Sequence, residues 1–102
     1  MSNLESKKLF DAYLDYVQLL YMEVNPATGI HGIRIVKMLY ALNIEPEYVR
    51  LDNNNDLMIP LINGNIIEVE FDGTINYTVI DKEYCGISVL QLEKLLAVWR
   101  VI

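Results

Sequence analysis

The chain has 102 residues, of which 53% are apolar, and this composition predicts one globular domain with a hydrophobic core, which excludes a disordered tail. Fourteen acidic and eight basic residues give a net charge of −6, and the basic residues are scattered along the sequence, so the average field repels a nucleic-acid backbone. No apolar run approaches the roughly 20 residues that span a bilayer. We expect neither a nucleic-acid partner nor a membrane.

The N-terminal residues 1–13 lack the apolar region and the small-residue cleavage site of a secretory signal. Cys85 is the single cysteine, so no internal disulfide can form, and this fits a reducing compartment. We therefore expect a cytoplasmic, intracellular protein.

Residues 4–22 fit two different structures. Their apolar side chains recur from Leu9 to Tyr21 at the three- and four-residue spacing of an amphipathic helix. The stretch FDAYLDY at 10–16 also resembles FDGTINY at 71–77, which has the pattern of a β-hairpin. We predict a hairpin, with a third helix as the alternative.

Two main helices are predicted, at about residues 31–44 and 87–100. The first, HGIRIVKMLYALNI, carries Arg34 and Lys37 on a narrow polar line, and most of its other side chains are apolar. The second begins near Ser88, a residue type that caps helix starts. Both apolar arcs are wider than a surface helix needs, so each helix is expected to be covered on two sides.

Four β-rich segments lie between these helices, at residues 48–52, 57–62, 65–71 and 74–80. Asp72-Gly73 joins the last two and predicts a hairpin turn, since glycine accepts the positive φ that such turns require. Pro60 has no amide proton to donate, which indicates an edge position or a bulge. The predicted fold class is α+β, with antiparallel β-hairpins and two main helices.

An internal duplication is also predicted. CGISVLQLEKLLAV, at residues 85–98, echoes HGIRIVKMLYALNI, and it follows the second FD…Y stretch as the helix follows the first. The single domain would then contain two similar hairpin–helix motifs, about 4–44 and 65–102, joined by a β segment at 46–63. Two like motifs packed about a pseudo-two-fold axis would leave a seam between them.

Two acidic patterns suggest chemistry, and each has a simpler explanation. DNNND at 52–56 spaces oxygen ligands like the start of an EF-hand, but Leu57 and Asn63 replace the glycine and glutamate that this loop requires. A polar hairpin turn explains it better. Glu68 and Glu70 lie two apart on one strand, as residues of a solvated face also do. We predict no metal and no cofactor.

Cys85 and His31 are a nucleophile and a base at equivalent positions in the proposed repeat. A cysteine hydrolase needs the two within hydrogen-bond reach and a third group that orients the base. The sequence indicates only two of these parts, so we assign no catalytic residue. A small cysteine hydrolase is our third functional hypothesis.

Seven tyrosines and one tryptophan combine a large apolar area with a polar tip, which is typical of protein interfaces. Tyr84, placed in a loop, and Trp99, near the chain end, are the first predicted partner contacts, followed by Tyr77 and Tyr48. The leading hypothesis is a non-enzymatic module that binds a protein or peptide at the seam or at an open strand edge. The alternative is a structural homodimer.

In general character, though in no motif, the chain resembles the small orphan proteins of viruses of thermophilic archaea. It is short and rich in Ile, Leu and Tyr, and it has one cysteine. The resemblance implies an intracellular protein that acts on a host or viral component.

Overall fold

Three helices and five strands make up the fold, and a computed structural model describes them over residues 3–101, with side chains over residues 6–98. A short π-helical turn, Leu20–Val24, joins the first two helices. The elements are α1 (Asn3–Leu19), α2 (Pro26–Leu42), β1 (Arg50–Leu51), β2 (Leu57–Pro60), β3 (Ile66–Val69), β4 (Ile75–Val79), β5 (Lys82–Ile87) and α3 (Val89–Val101). The predicted α+β class is confirmed.

The five strands form one antiparallel sheet in which each strand pairs with the next along the chain, so β1 and β5 are its edges. One face of the sheet contributes to the core beneath the helices, because alternate strand residues point the same way. The buried residues of this face are Leu57, Ile59, Ile67, Val69, Ile75 and Tyr77. The opposite face carries polar side chains, including the Glu68 and Asn76 pair.

Helix α2 packs closely against the Leu20–Val24 turn and against α1, because glycine stands at both contacts. A Cβ atom at Gly29 would lie 2.3 Å from the backbone nitrogen of Tyr21. A Cβ atom at Gly32 would lie 2.9 Å from side-chain atoms of Val17 and Leu57. Any larger residue at Gly29 would push the two backbones apart.

Helix α2 begins at Pro26, earlier than the predicted residue 31, because Asn25 caps it. The Ala27 N–H donates to Asn25 Oδ1 at 3.0 Å, and proline at the first helical position needs no such acceptor. The Asn-Pro pair is a helix-start signal that the sequence contained. The amide nitrogen of Asn25 also donates to the Phe71 carbonyl at 2.8 Å, which ties the helix start to the β3–β4 hairpin.

Replacing Asn25 by alanine is expected to lower the free energy of unfolding by about 1–2 kcal/mol, because the cap is lost together with the bond to the hairpin. Urea unfolding followed by circular dichroism measures the change. Asn25→Asp is the matched variant, since its carboxylate still caps the helix but cannot donate to Phe71. A loss no larger for alanine than for aspartate would contradict the capping role.

Helix α3 begins at Val89, just after the predicted start at residue 87, since Ile87 belongs to β5. Its predicted capping residue is confirmed. The Gln91 N–H donates to Ser88 Oγ at 3.1 Å, and the Ser88 N–H donates to Gln91 Oε1 at 2.8 Å. These reciprocal bonds form a capping box.

The hairpin predicted for residues 4–22 is wrong, and the third helix is what the structure contains. Phe10 and Val17 are buried one above the other on the inner side of α1, as helical spacing requires. The likeness to the later hairpin fails at one position. Gly73 has φ of +94° in the β3–β4 turn, and its counterpart Ala12 disfavours that conformation.

The structure does not confirm the internal duplication, because the two proposed motifs have different folds. The first motif, 4–44, contains two helices, whereas the second, 65–102, contains three strands before its helix. Without two like motifs, the predicted seam loses its structural basis.

Pro60 lies in an interior strand, so the predicted edge position is wrong. Strand β2 pairs with both β1 and β3. The proline is tolerated because β1 is short and pairs only with Leu57 and Met58, so Pro60 faces no residue of β1. Its carbonyl accepts a hydrogen bond from the Glu47 N–H at 2.7 Å.

Candidate functional site

The outer edge of β5 is the longer of the two strand edges of the sheet in the described residues. This strand spans Lys82–Ile87, and in the described residues 3–101 it pairs with β4 alone. The opposite edge, β1, has only the two residues Arg50–Leu51. An edge strand directs alternate N–H and C=O groups away from its neighbour. The β5 edge can therefore bond to another extended chain.

Sequence reasoning missed β5 and expected Tyr84 in a loop. The strand lacks a clear alternation of apolar and polar residues, because most of its side chains are exposed on both faces. Its one signal was position, since the segment follows the short Ile80-Asp81 turn after a clear strand. An edge strand with exposed side chains on both faces is therefore difficult to predict from hydrophobic periodicity.

A β-bulge interrupts β5. Ile87 pairs with Ile75, and Tyr84 pairs with Tyr77. Two residues of β5, Cys85 and Gly86, therefore lie opposite one residue of β4, Asn76. Gly86 has φ of +64°, a left-handed conformation that glycine adopts without strain. Regular pairing on β5 is thereby limited to Lys82, Glu83 and Tyr84.

Asn76, opposite the bulge, holds two glutamates side by side. It is only 7% exposed, and its Nδ2 donates to Glu68 Oε1 at 3.2 Å and to Glu70 Oε2 at 3.1 Å. Its Oδ1 accepts from the Gly86 N–H at 3.0 Å. The amide therefore joins the bulge to two carboxylates and fixes their negative charge on the open face of the sheet.

The thiol of Cys85 lies among carboxylates. Partial desolvation raises its pKa, and a hydrogen bond with Glu83 and the charges of Glu83, Glu70 and Glu68 raise it further. The reactive form of a cysteine is the thiolate. This exposed thiol is therefore a poor nucleophile at neutral pH.

Alkylation of Cys85 by iodoacetamide is expected to be slower at pH 7.5 than that of the same cysteine in the urea-unfolded chain, because the raised pKa leaves less thiolate. The ratio of the two rates should approach one as the pH rises above the folded pKa. Glu83→Gln removes one of the charges and should speed the reaction at pH 7.5. Equal folded and unfolded rates at pH 7.5 would contradict the raised pKa.

His31 lies in a different environment, inside helix α2. Burial and the neighbouring charge of Arg34 lower its pKa. A Cβ atom at Gly73 would lie 3.6 Å from the imidazole, so the ring rests against the β3–β4 turn. The hydrogen-bond partner of the Cys85 thiol is Glu83 and not this imidazole. The described side chains thus provide no activated thiolate beside a base.

A carboxylate cluster forms where β3 passes the DNNND turn. One oxygen each of Asp52, Asp56 and Glu68 lies within 4.8 Å of the others, which is donor chemistry suited to a divalent cation. Sequence reasoning found the two aspartates and missed Glu68, which strand pairing brings close. Asp52 Oδ1 accepts from the Asn54 and Asp56 N–H groups at 2.8 and 3.0 Å, so the predicted polar turn explains the arrangement without an ion.

A groove of about 340 Å³ lies beside the start of β5. Its lining is mostly apolar and comes from the residue before β3, from β4, the β4–β5 turn, β5 and α3: Asn65, Tyr77, Val79, Ile80, Asp81, Tyr84, Leu95 and Val98. Ile80 is 93% exposed and Val98 is 64% exposed, so this apolar surface is open to solvent.

The chain matches no family model, no curated protein and no solved structure. The geometry of the site is therefore the basis for any assignment of function. Among the described helices, none is long and apolar enough to cross a membrane.

Two of the predicted partner contacts lie at the two sheet edges. Tyr84 is half-buried on β5, and the ammonium of Lys82 lies 4.7 Å from the centre of its ring. Tyr48 precedes β1 and is 36% exposed, with the guanidinium of Arg50 4.3 Å from its ring centre. Both rings already bind a cation from their own strand.

The other two predicted contacts do not join them. Tyr77 is 1% exposed, and its hydroxyl accepts a hydrogen bond from Asn65 Nδ2 at 2.9 Å. Burial raises the pKa of this tyrosine. Tyr77 is therefore a core residue that also lines the groove. The side chain of Trp99 lies outside the described residues.

Proposed function

We propose that this chain is a non-enzymatic binding module that accepts an extended segment of a partner protein or peptide as a sixth strand beside β5. One observation carries the proposal: the longest strand of the sheet is an edge, and its outer side is unpaired in the part of the chain that the structure describes. Backbone hydrogen bonds supply affinity in this mode, and neighbouring side chains supply specificity.

Strand β5 suits this role better than β1. A partner strand at β1 could pair with only two residues, Arg50 and Leu51. At β5 the partner gains the regular stretch Lys82–Tyr84 and the groove beside Tyr84. The groove can accept an apolar side chain of the added strand.

The bulge accounts for selectivity. Natural sheets protect their edges from uncontrolled pairing by bulges and by lysines, and β5 has both, at Cys85–Gly86 and at Lys82. A flat strand cannot pair along the whole edge of β5. A partner whose own shape follows the bend can do so.

The chemistry around Cys85 supports binding over catalysis. Partial desolvation and the neighbouring carboxylates raise the pKa of its thiol, and the hydrogen-bond partner of the thiol is Glu83. An exposed, unpaired thiol persists in a reducing compartment, so we place the module in the cytoplasm.

Selection of a random dodecapeptide library against the folded protein tests strand addition. Selected peptides should slow amide hydrogen exchange in Lys82–Tyr84 and leave Arg50–Leu51 unchanged. They should also slow alkylation of Cys85, and prior alkylation of Cys85 with a bulky maleimide should abolish their binding. Maleimide-treated Cys85→Ser is the control and should still bind. Slowed exchange confined to other elements would overturn the proposal.

A homodimer is the second candidate function, favoured by the apolar side chains beside the edge. Leu90 and Val98 of α3 are 60% and 64% exposed, and burying such apolar side chains against a second copy would stabilise a dimer. Light scattering over a concentration series checks this candidate. A monomer at every concentration would remove it and leave the peptide-binding module.

A further inference from the structure

The net negative charge of this protein comes from the segment that contains its sheet. Between α2 and α3, residues 43–88 contain nine acidic and two basic side chains, a net charge of −7. Residues 1–42 contain four of each, so α1 and α2 contribute no net charge. The region around α3 contributes one positive charge, which gives the total of −6. Any chain that docks on the sheet therefore meets an acidic surface.

The two sides of the β5 edge differ in chemistry. Glu83 pairs with Thr78 and so belongs to the open face, on which Asn76 also fixes Glu68 and Glu70. The charges of Glu83, Glu70 and Glu68 all raise the pKa of the Cys85 thiol, and of the three Glu83 is the one that lies on β5 itself. The open side of the edge is thus acidic.

The helix side of the same edge is apolar. Tyr84 pairs with Tyr77, which is buried in the core, so the side chain of Tyr84 belongs to this side. Ile80 and Val98 line the adjoining groove and are exposed. The cation of Lys82 lies over the Tyr84 ring, where the aromatic face already binds it.

We infer that the strand accepted by β5 alternates basic and apolar side chains, with lysines or arginines toward Glu83 and apolar residues toward the groove. This inference rests on the proposed strand addition and specifies its partner. Successive side chains of an extended chain point to opposite faces. A strand beside β5 therefore places its side chains alternately on the side of Glu83 and on the side of Tyr84 and the groove. Opposite charges on neighbouring strands attract across the pair.

Three synthetic octapeptides test the inference: alternating lysine and valine, alternating glutamate and valine, and a block of four lysines followed by four valines. Affinity is measured by isothermal titration at 50 and 300 mM salt. The alternating lysine–valine peptide should bind at least about tenfold more tightly than the other two, with a difference that shrinks at high salt. It should slow amide exchange in Lys82–Tyr84.

Each of the other possible binding results would contradict a different part of the inference. Equal binding of the lysine–valine and glutamate–valine peptides, with slowed exchange at β5, would overturn the basic partner and leave strand addition intact. Equal binding of the block peptide would overturn the alternation. If none of the three slows exchange at β5, the basic alternating partner is overturned. The library selection then decides separately whether any strand is accepted.

Glu83→Gln and Glu93→Gln form a matched pair of variants, since both side chains are exposed and both changes remove one negative charge. Glu93 lies on α3. The change at Glu83 should weaken binding of the lysine–valine peptide by about two- to fivefold, which is the size of effect expected from the loss of one charge pair between neighbouring strands. The change at Glu93 should have a smaller effect. Equal effects would show that net charge, and not the β5 edge, attracts the peptide, and would overturn the inference.

Discussion

Replacing Gly29 by alanine is expected to lower the free energy of unfolding by about 2–4 kcal/mol, although alanine is the better helix former. The added Cβ would lie 2.3 Å from the nitrogen and the Cα of Tyr21. Both are backbone atoms of the turn that joins α1 to α2, so no side-chain rotation relieves the overlap. The helices must separate, and the core between them loses contacts.

The sign of this change is informative because helix propensity acts the other way. In an exposed helix the same substitution stabilises by about 1 kcal/mol. Urea unfolding of the wild type and the variant measures the difference. Gly32→Ala is the matched control, since its close neighbours are side-chain atoms of Val17 and Leu57 at 2.9 Å, and these can shift. A smaller loss is expected there. A Gly29→Ala variant as stable as the wild type would contradict the close approach of α1 and α2.

The sequence predicted those parts of the fold that a local periodicity specifies. The apolar spacing of α2 and α3, and the alternation in β3, follow from burial of one face of each element. Helix ends depend on single residues. Ser88 was recognised as a cap, whereas Asn25-Pro26 was overlooked, so the start of α2 was placed too late.

The errors came from features that a short pattern does not contain. The comparison of residues 10–16 with 71–77 rested on identical residue types at matching positions. The hairpin, however, depends on the positive φ of Gly73, and alanine stands at the matching position 12. Pro60 indicated an edge, but the length of the neighbouring strand decides whether a missing N–H matters. That length is a property of the assembled sheet.

The candidate site was the least predictable part. Strand β5 is exposed on both faces, so it has neither the helical nor the two-residue period. Glu83 and Glu68 both affect the pKa of Cys85 only because β3, β4 and β5 lie side by side. The open strand edge was among the predicted binding modes, and tertiary structure was needed to say which edge.

Asn76→Asp is expected to lower the free energy of unfolding by about 3 kcal/mol at pH 8, although the two side chains have nearly the same shape. The wild-type amide donates to Glu68 and to Glu70, at 3.2 and 3.1 Å. A carboxylate there cannot donate, and it places a third negative charge beside two others in a site that is only 7% exposed. The substitution converts two hydrogen bonds into two repulsions.

The loss should depend on pH with a definite sign. Neighbouring negative charges raise the folded-state pKa of the introduced carboxyl above its unfolded value of about 3.9. The electrostatic part of the destabilisation is therefore complete above the folded pKa, shrinks as the pH falls through it, and is absent below the unfolded pKa. A smaller loss remains there, because a neutral carboxyl donates one hydrogen bond where the amide donates two. Urea unfolding of wild type and variant between pH 4 and pH 8 follows this change.

Asn53→Asp is the matched control for this substitution, because it makes the same chemical change at an exposed position of the acidic turn. Water screens the new charge there, so a loss within about 0.5 kcal/mol is expected at every pH. A pH-independent loss at Asn76 would mean that shape, and not charge, determines the effect. A loss no larger than at Asn53 would contradict the hydrogen bonds of Asn76 to the two glutamates. If both expectations hold, Asn76 is the residue that allows this sheet to carry concentrated negative charge beside the β5 edge.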